Sequence, residues 1–378
     1  MTYLDHAATT PMQPAVIEAM SQMMAEAVGN PSSIHQYGRR AHSYLENARQ
    51  TVAESLHATA NEIIFTSGGT EGNNTALIST AFAHQQTGKH LITTAVEHPA
   101  ILKTMAYLET MGFEVTYLPV DSRGQITVES VQEALRPDTI LVSIMFANNE
   151  TGNLFPVQAI GELLSEHPAL FHVDAVQAYG KVAIDVRELA VDFLTISGHK
   201  INGPKGIGVL YKRTTAPLVP FMHGGEQEGK LRAGTENLAA IYGLAQAVTL
   251  LPTDFTQVQQ KYATFATLIQ EQLTQAGIAF EINGDTAHKL ANIWNLRLMG
   301  IPSDRLLMHL DLKGFAVSTG SACTAGNVEP SHVLAAMYGE EADAIHESIR
   351  ISFGLGNTAE EIAAFTEVLI ASIQRLQR

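Results

Sequence analysis

Cysteine occurs once in 378 residues, as Cys323, and charge is scarce: Asp, Glu, Lys and Arg together make up 16% of the chain. One thiol can close no intramolecular disulfide and cannot supply a cysteine-based zinc site. That usage suits a reducing compartment, so a cytoplasmic location is expected. The charged share falls well below the roughly one quarter usual for soluble domains, with no disorder-type composition to account for it. Much of the surface is therefore expected to be hidden against another subunit. Basic residues are also in deficit, 23 Lys and Arg against 38 Asp and Glu, for a formal net charge of −15. This balance argues against a nucleic-acid clamp or a surface for anionic membranes. No apolar run approaches the roughly 20 residues that span a bilayer. Met1–Pro11 lacks the basic-then-apolar order of a secretory signal. The 15 histidines show no spacing that demands a metal, and none is expected.

What is present is an alternation of helical and strand character from Pro14 to about Leu251. Helical stretches fall at Pro14–Ala27, Arg39–His57, Thr70–His84 and Ala100–Met111. Seven β-rich runs accompany them, at Glu62–Thr66, His90–Thr94, Phe113–Leu118, Thr139–Phe146, Leu170–Val173, Asp192–Ile196 and Gly206–Tyr211. Apolar runs bounded by turns and separated by helices make a mostly parallel sheet covered on both faces, an α/β architecture. The last third differs. Asp254–Gly277 reads as a long amphipathic helix with Gly277 as its stop. Strands near Ala279–Ile282 and Leu290–Leu296, a helix after Pro302 and a strand near Val317 follow. A terminal helix opens on the capping-box pattern Thr358-Ala359-Glu360-Glu361. The expected division is a large α/β domain over 14–252 and a smaller α+β domain from 1–13 and 253–378.

Polar residues gather where the strands end, the place at which open α/β sheets bind ligands. Ser67-Gly68-Gly69-Thr70-Glu71 opens a helix after a strand, a setting for phosphate, although such a turn is as often purely structural. It is not a P-loop, since no Gly-Lys-Ser/Thr follows. Asp174 ends a strand in a largely apolar sheet and needs a partner: a protonated heterocycle nitrogen would serve, and so would capping the next helix. Lys200, in Ser197-Gly198-His199-Lys200-Ile201-Asn202-Gly203-Pro204-Lys205-Gly206, follows a buried strand where desolvation lowers an amine pKa, as imine formation requires.

These blocks, in this order, resemble pyridoxal-phosphate enzymes of fold-type I, in the class V aminotransferase group. The likeness is greatest to cysteine desulfurases of the NifS/IscS type, and it spans nearly the whole chain from Tyr3-Leu4-Asp5-His6-Ala7-Ala8-Thr9-Thr10 onward. It is carried by Gly29-Asn30-Pro31-Ser32-Ser33, Glu97-His98, Asn148-Asn149-Glu150-Thr151-Gly152 and His172-Val173-Asp174-Ala175-Val176-Gln177. The Ser197–Gly206 stretch, Arg232-Ala233-Gly234-Thr235, Ser321-Ala322-Cys323 and Ile349-Arg350-Ile351-Ser352 complete it. The resemblance implies roles. Lys200 would hold the cofactor covalently and then move protons at the substrate α-carbon. Asp174 would pair with the ring nitrogen and Gln177 with the ring oxygen. Gly69, Thr70, Ser197 and His199 would hold the phosphate, with Thr235 reaching the phosphate of a neighbouring subunit. His98 would stack on the ring and act as acid and base. Asn149 would touch cofactor or substrate. Arg350 would grip the substrate carboxylate, assisted by Asn30.

Cys323 decides the reaction class. A free cysteine is more often a small buried hydrophobe than a nucleophile, but this one lies among small residues, Thr319–Asn327, for which a loop is the natural reading. The resemblance implies that its thiolate takes the sulfur of L-cysteine as a persulfide and releases L-alanine, within a homodimer. A selenocysteine lyase or an aminotransferase on the same scaffold is the alternative. A non-catalytic cofactor-binding scaffold is disfavoured because Lys200, His98, Asp174 and Cys323 are all present. A dinucleotide oxidoreductase fits poorly, since no Gly-x-Gly-x-x-Gly follows the first strand. Two departures from the family pattern stand out: His6 where Asn is common, and Phe353-Gly354-Leu355-Gly356-Asn357 in place of a Gly-Arg turn. Housekeeping relatives often carry a longer C-terminal segment that helps dock an iron–sulfur scaffold, whereas this chain ends at Arg378. A tRNA-thiolation protein therefore stands beside that scaffold as the expected sulfur acceptor.

Overall fold

The computed structural model describes residues 1–320 and 330–377. Seven strands form one sheet in the order Ile63–Thr66, Gly208–Lys212, Phe193–Ser197, Leu170–Asp174, Thr139–Met145, His90–Thr94, Glu114–Leu118. Every pairing is parallel except the two made by Gly208–Lys212. The mostly parallel sheet follows from the sequence: Thr139–Met145 and Phe193–Ser197 are buried at every position, because helices cover both faces and no polar alternation is needed. One face packs Leu91, Leu141 and Phe193 against Leu77, Ile101 and Met105 of helices Gly69–His84 and Pro99–Thr110. The other packs Val142, Phe171 and Leu194 with Val52, Ile160 and Leu244 of helices Gln36–Ser55, Val157–Leu164 and Leu238–Thr249.

A second hydrophobic cluster lies under a three-stranded antiparallel sheet in the order Ser348–Ser352, Ile293–Leu298, Phe280–Asn283. Helices Phe255–Gln275 and Ala359–Leu376 bury Phe265, Ile269, Leu273, Phe365, Leu369 and Ile373 against it. The long helix starts because Asp254 accepts the N–H groups of Thr256 and Gln257, and it stops at Gly277, where φ is +70°. The Thr358–Glu361 capping box forms as its residues dictate. Element ends fall within a few residues of the sequence reading: Phe193–Ser197 is one residue later than expected, and the strand expected from Leu290 begins at Ile293, after a turn in which Leu290 donates to the Gly152 carbonyl.

Ser348–Ser352, read above for its arginine rather than for its backbone, is a strand. Its outer edge is taken by the N-terminus: Ser352 donates to the Leu4 carbonyl, and Ser318 bridges Arg350. Thr2–Tyr3 pairs in parallel with Phe315–Ala316. Thr2–Tyr3 thus belongs to a separate two-stranded sheet, and Leu4 and Asp5 run along the edge of the three-stranded one before the chain crosses to the larger sheet.

Phe365→Ala removes a side chain with no solvent exposure from the smaller core. It is expected to cost roughly 3–5 kcal/mol, against about 1 kcal/mol for Thr358→Ala. Urea unfolding followed by circular dichroism measures both, and equal shifts would contradict this account of the smaller core.

Candidate active site

The carboxyl ends of the parallel strands open on a cleft of about 590 Å³. It receives Gly68–Glu71 after the first strand, His98 after His90–Thr94, Asn149 after Thr139–Met145, Asp174 and Gln177, and then Ser197, His199 and Lys200. Arg350 enters from the smaller sheet, and Ala7–Thr9 from the N-terminus. Gly69, Thr70, His98, Asn149, Asp174, Gln177, Ser197, His199, Lys200 and Arg350, all singled out in the sequence, therefore share one cavity. Two do not join it. Thr235 lines a neighbouring hollow of about 200 Å³ that shares Ser67 and Gly206 with the cleft. Asn30 is exposed, its side chain accepting the Ser32 N–H at 2.8 Å. Cys323 lies outside the described residues.

At one end the cleft meets the N-terminus of the 16-residue helix Gly69–His84, the positive end of its dipole. The turn needs its glycines: Gly68 has φ +151°, and a Cβ on Gly69 would lie 2.8 Å from Val176. Beside this helix the Asp174 carboxylate accepts from Asn73 Nδ2 at 2.7 Å and from the Val176 N–H at 3.0 Å. Lys200 donates to the carbonyls of Ala7 and Ala8, the latter at 2.8 Å. The same Ala7 carbonyl accepts Gln177 Nε2 at 2.8 Å.

His98 accepts the Ala100 N–H on Nδ1 at 3.1 Å. Burial lowers its pKa, opposed by the charge of Asp174 and reinforced by Lys200 and His332. The ring is therefore neutral near pH 7, with its proton assigned to Nε2 by this hydrogen bond. His199 bonds Thr9 Oγ1 through Nδ1 at 3.1 Å, and burial, then Lys200, pushes it down to about 4. Arg350, 1% exposed, donates to Asp5 at 2.8 Å and to the Asn149 carbonyl at 3.0 Å. Four buried polar atoms of cleft-lining residues have no hydrogen-bond partner among the described residues: Asn73 Oδ1, Asn149 Oδ1, Gln177 Oε1 and Arg350 Nε. Buried groups of this kind cost free energy unless a ligand satisfies them.

The sequence reading missed four contributors. Asn73 orients Asp174, and Asp5 orients Arg350. The Ala7 and Ala8 carbonyls hold Lys200, and Glu97, fully buried behind His98, pins two strand ends. Glu97 accepts from Thr94 Oγ1 at 2.8 Å and from the Met145 N–H at 3.0 Å, and burial pushes its pKa up to about 8. An Asn-rich helix N-terminus facing a strand-end aspartate was the available signal for Asn73. The backbone carbonyls left none.

The aminotransferase class-V family matches residues 2–365. Over 374 residues the chain is 50% identical to a protein of Bacillus subtilis (strain 168) named putative cysteine desulfurase IscS 1, with 99% of each covered. A solved structure named NifS-like protein superposes with a TM-score of 0.93 at 35% identity, covering 99% of this chain and 100% of that one. Another, SspA in complex with cysteine, gives 0.83 at 38% identity over 93% and 99%.

The raised pKa of Glu97 means that the folded protein holds an extra proton between the ordinary glutamate range and about pH 8. Stability should therefore fall as pH rises through that interval. Glu97→Gln, which keeps an acceptor for Thr94 and Met145, is expected to flatten this slope. Denaturant unfolding at about pH 5 and about pH 8 measures it, and an unchanged slope in the variant would rule out a protonated Glu97.

Proposed function

The chain belongs to the class V aminotransferase family, and from that premise we propose that it is a pyridoxal-phosphate-dependent cysteine desulfurase. It converts L-cysteine to L-alanine and carries the removed sulfur as a persulfide. One observation carries the reading: Lys200, Asp174, His98 and Arg350 converge on one cleft in a chain half identical, end to end, to a protein named a cysteine desulfurase.

The donor set suits a flat, phosphate-bearing pyridine. A helix N-terminus with a glycine turn would take the phosphate, and Asp174 would pair with the ring nitrogen. The unpartnered Asn149 and Gln177 oxygens would accept from the ring substituents, and Lys200 lines the same cleft. Gly69, Thr70, Ser197 and His199 would hold the phosphate, with Thr235 supplied across a dimer. When bound, the cofactor supplies an electron sink conjugated to the substrate α-carbon.

The chain's own groups do the rest. Arg350 binds the substrate carboxylate with a guanidinium that Asp5 and the Asn149 carbonyl already aim. Asp174, oriented by Asn73 and the Val176 N–H, would favour a proton on the ring nitrogen. Lys200, held by the Ala7 and Ala8 carbonyls, withdraws the α-proton and returns one. His98, neutral and carrying its proton on Nε2, would lie beside the bound ring and supply that proton. Cys323 attacks the substrate sulfur as a thiolate: its S–S bond forms as the substrate C–S bond breaks, leaving alanine and a persulfide. An acceptor protein for iron–sulfur assembly or tRNA thiolation then takes the sulfur. A homodimer is supported by exposed apolar residues around Asn30, namely Ile17, Met24, Val28, Ile34 and Tyr37. Among the described residues no helix is long and apolar enough to cross a membrane, and the thiol chemistry belongs in the reducing cytoplasm.

Intact-mass measurement after incubation with L-cysteine should show an adduct of about 32 Da, one sulfur, on the wild type and none on Cys323→Ser. Undiminished alanine release by Cys323→Ser would favour the lyase or aminotransferase alternative and overturn the persulfide reading. Arg350→Gln should raise KM for L-cysteine roughly 10- to 100-fold, the loss of charged hydrogen bonds to the carboxylate.

A further inference from the structure

His6 and the turn at 353–357, the two places where the sequence departs from the family pattern, lie against each other. His6 is buried, and its ring meets that of Tyr3 edge-on with centroids 5.0 Å apart. A Cβ on Gly354 would overlap Nδ1, Cγ and Cε1 of the His6 ring, and these are the three atoms nearest to it. Gly354 is not one of the glycines held at positive φ, so its φ places no bar on alanine. The ring is therefore wedged between Tyr3 and Gly354. The turn is tied to the same segment: the Gly354 N–H donates to Asn357 Oδ1 at 2.9 Å, and Asn357 Nδ2 donates to the Tyr3 carbonyl at 3.2 Å. The Tyr3 hydroxyl reaches the carbonyls of Asp5 and Thr9, at 3.0 and 2.9 Å.

We propose that His6 is a positioning residue: its wedged ring fixes Asp5 and Ala7, its two neighbours in the chain, so that Arg350 stays aimed at the substrate carboxylate beside Lys200. The inference rests on the roles proposed above for Arg350 and Lys200. Asp5 accepts from Arg350 at 2.8 Å and is its one carboxylate partner among the described residues. Ala7 donates its N–H to Ser352 Oγ at 2.8 Å and offers its carbonyl to Lys200 and Gln177. Consecutive residues on either side of His6 thus serve two different groups of the cleft. His6 itself does not line that cleft.

Backbone pairing alone leaves slack at this point. The His6 N–H reaches the Ser352 carbonyl only at 3.4 Å, long for a hydrogen bond. The ring takes up that slack by packing. A close-packed slot resists change in both directions: removing the ring leaves a void, and a methyl group added at Gly354 pushes the ring and the segment that carries it. The consequences at the cleft are unequal. Arg350 has a single carboxylate to aim it, whereas Lys200 keeps the Ala8 carbonyl at 2.8 Å as well as that of Ala7. Loosening the wedge therefore weakens the grip on substrate more than it slows proton transfer.

The test uses the cofactor-loaded, full-length enzyme, assayed with L-cysteine at a temperature where every variant is folded. His6→Ala is expected to raise KM roughly tenfold while kcat falls by less, since small displacements of a positioned group act on this scale. In an Arg350→Gln background the same substitution should leave KM nearly unchanged, because the group it aims is gone. Gly354→Ala should raise KM at least as much while His6 is present, and add nothing to His6→Ala. Urea unfolding of the cofactor-free protein should follow the same pattern: Gly354→Ala lowers the midpoint in the presence of His6 and not in its absence. If His6→Ala does not fold, Gly354→Ala, which keeps the histidine, makes the comparison with Arg350→Gln. An unmoved KM in folded His6→Ala, an equal rise in both Arg350 backgrounds, or a Gly354→Ala effect indifferent to His6 would overturn the proposal. If Arg350→Gln by itself leaves KM unchanged, the assignment of Arg350 on which the proposal rests is what fails.

Discussion

Lys200 is held by two backbone carbonyls, those of Ala7 and Ala8, and the carbonyls are in place because the residues before them are locked into the smaller sheet. Leu4 donates to Ala316 and accepts from Ser352, and Asp5 then reaches Arg350. Beyond the alanines, Thr9 meets His199 and Thr10 bonds the His199 carbonyl. One strap of about ten residues therefore contacts Lys200, Arg350 and His199 together. It also couples the two hydrophobic cores, since its first residues belong to one sheet and its last lie against the other. A change in how the two cores sit would reach the amine directly through this strap.

The second governing fact is the shortage of water at the strand ends. The central strands are buried throughout, so each polar group at their carboxyl ends must find a specific partner. Asp174 is met by Asn73 and a backbone N–H; Glu97 is driven toward its neutral form; His98 and His199 are kept uncharged. The low overall charge of the chain has the same origin. A sheet covered on both faces, with apolar residues left exposed around Asn30, has little surface on which charges are needed.

The sheet was legible because buried parallel strands read as uninterrupted apolar runs between helices, and all seven runs match their strands to within about two residues at either end. Glu62–Thr66 is shortened because Glu62 closes a capping box with Thr59 and binds Arg187. Ser348–Ser352 could have been read as a strand: its polar and isoleucine positions alternate strictly, the isoleucines entering the smaller core and Arg350 the cleft. Leu238–Thr249 was harder. It is apolar on nearly every side because it lies between helices Pro14–Glu26 and Gln36–Ser55, so it carries no single stripe.

By itself, the sequence determined the α/β order, the glycine turn before Thr70, the strand-end Asp174 and the lysine after Phe193–Ser197. All are set by neighbours a few residues away, through backbone period and turn chemistry. Only the tertiary structure decided what those residues are held by. Asp5 and Arg350 meet across 345 positions, Ala7 and Lys200 across 193, Asn73 and Asp174 across 101. Contacts of that kind obey no local period. They exist because desolvated charges must be paired, and the fold offers few groups within reach.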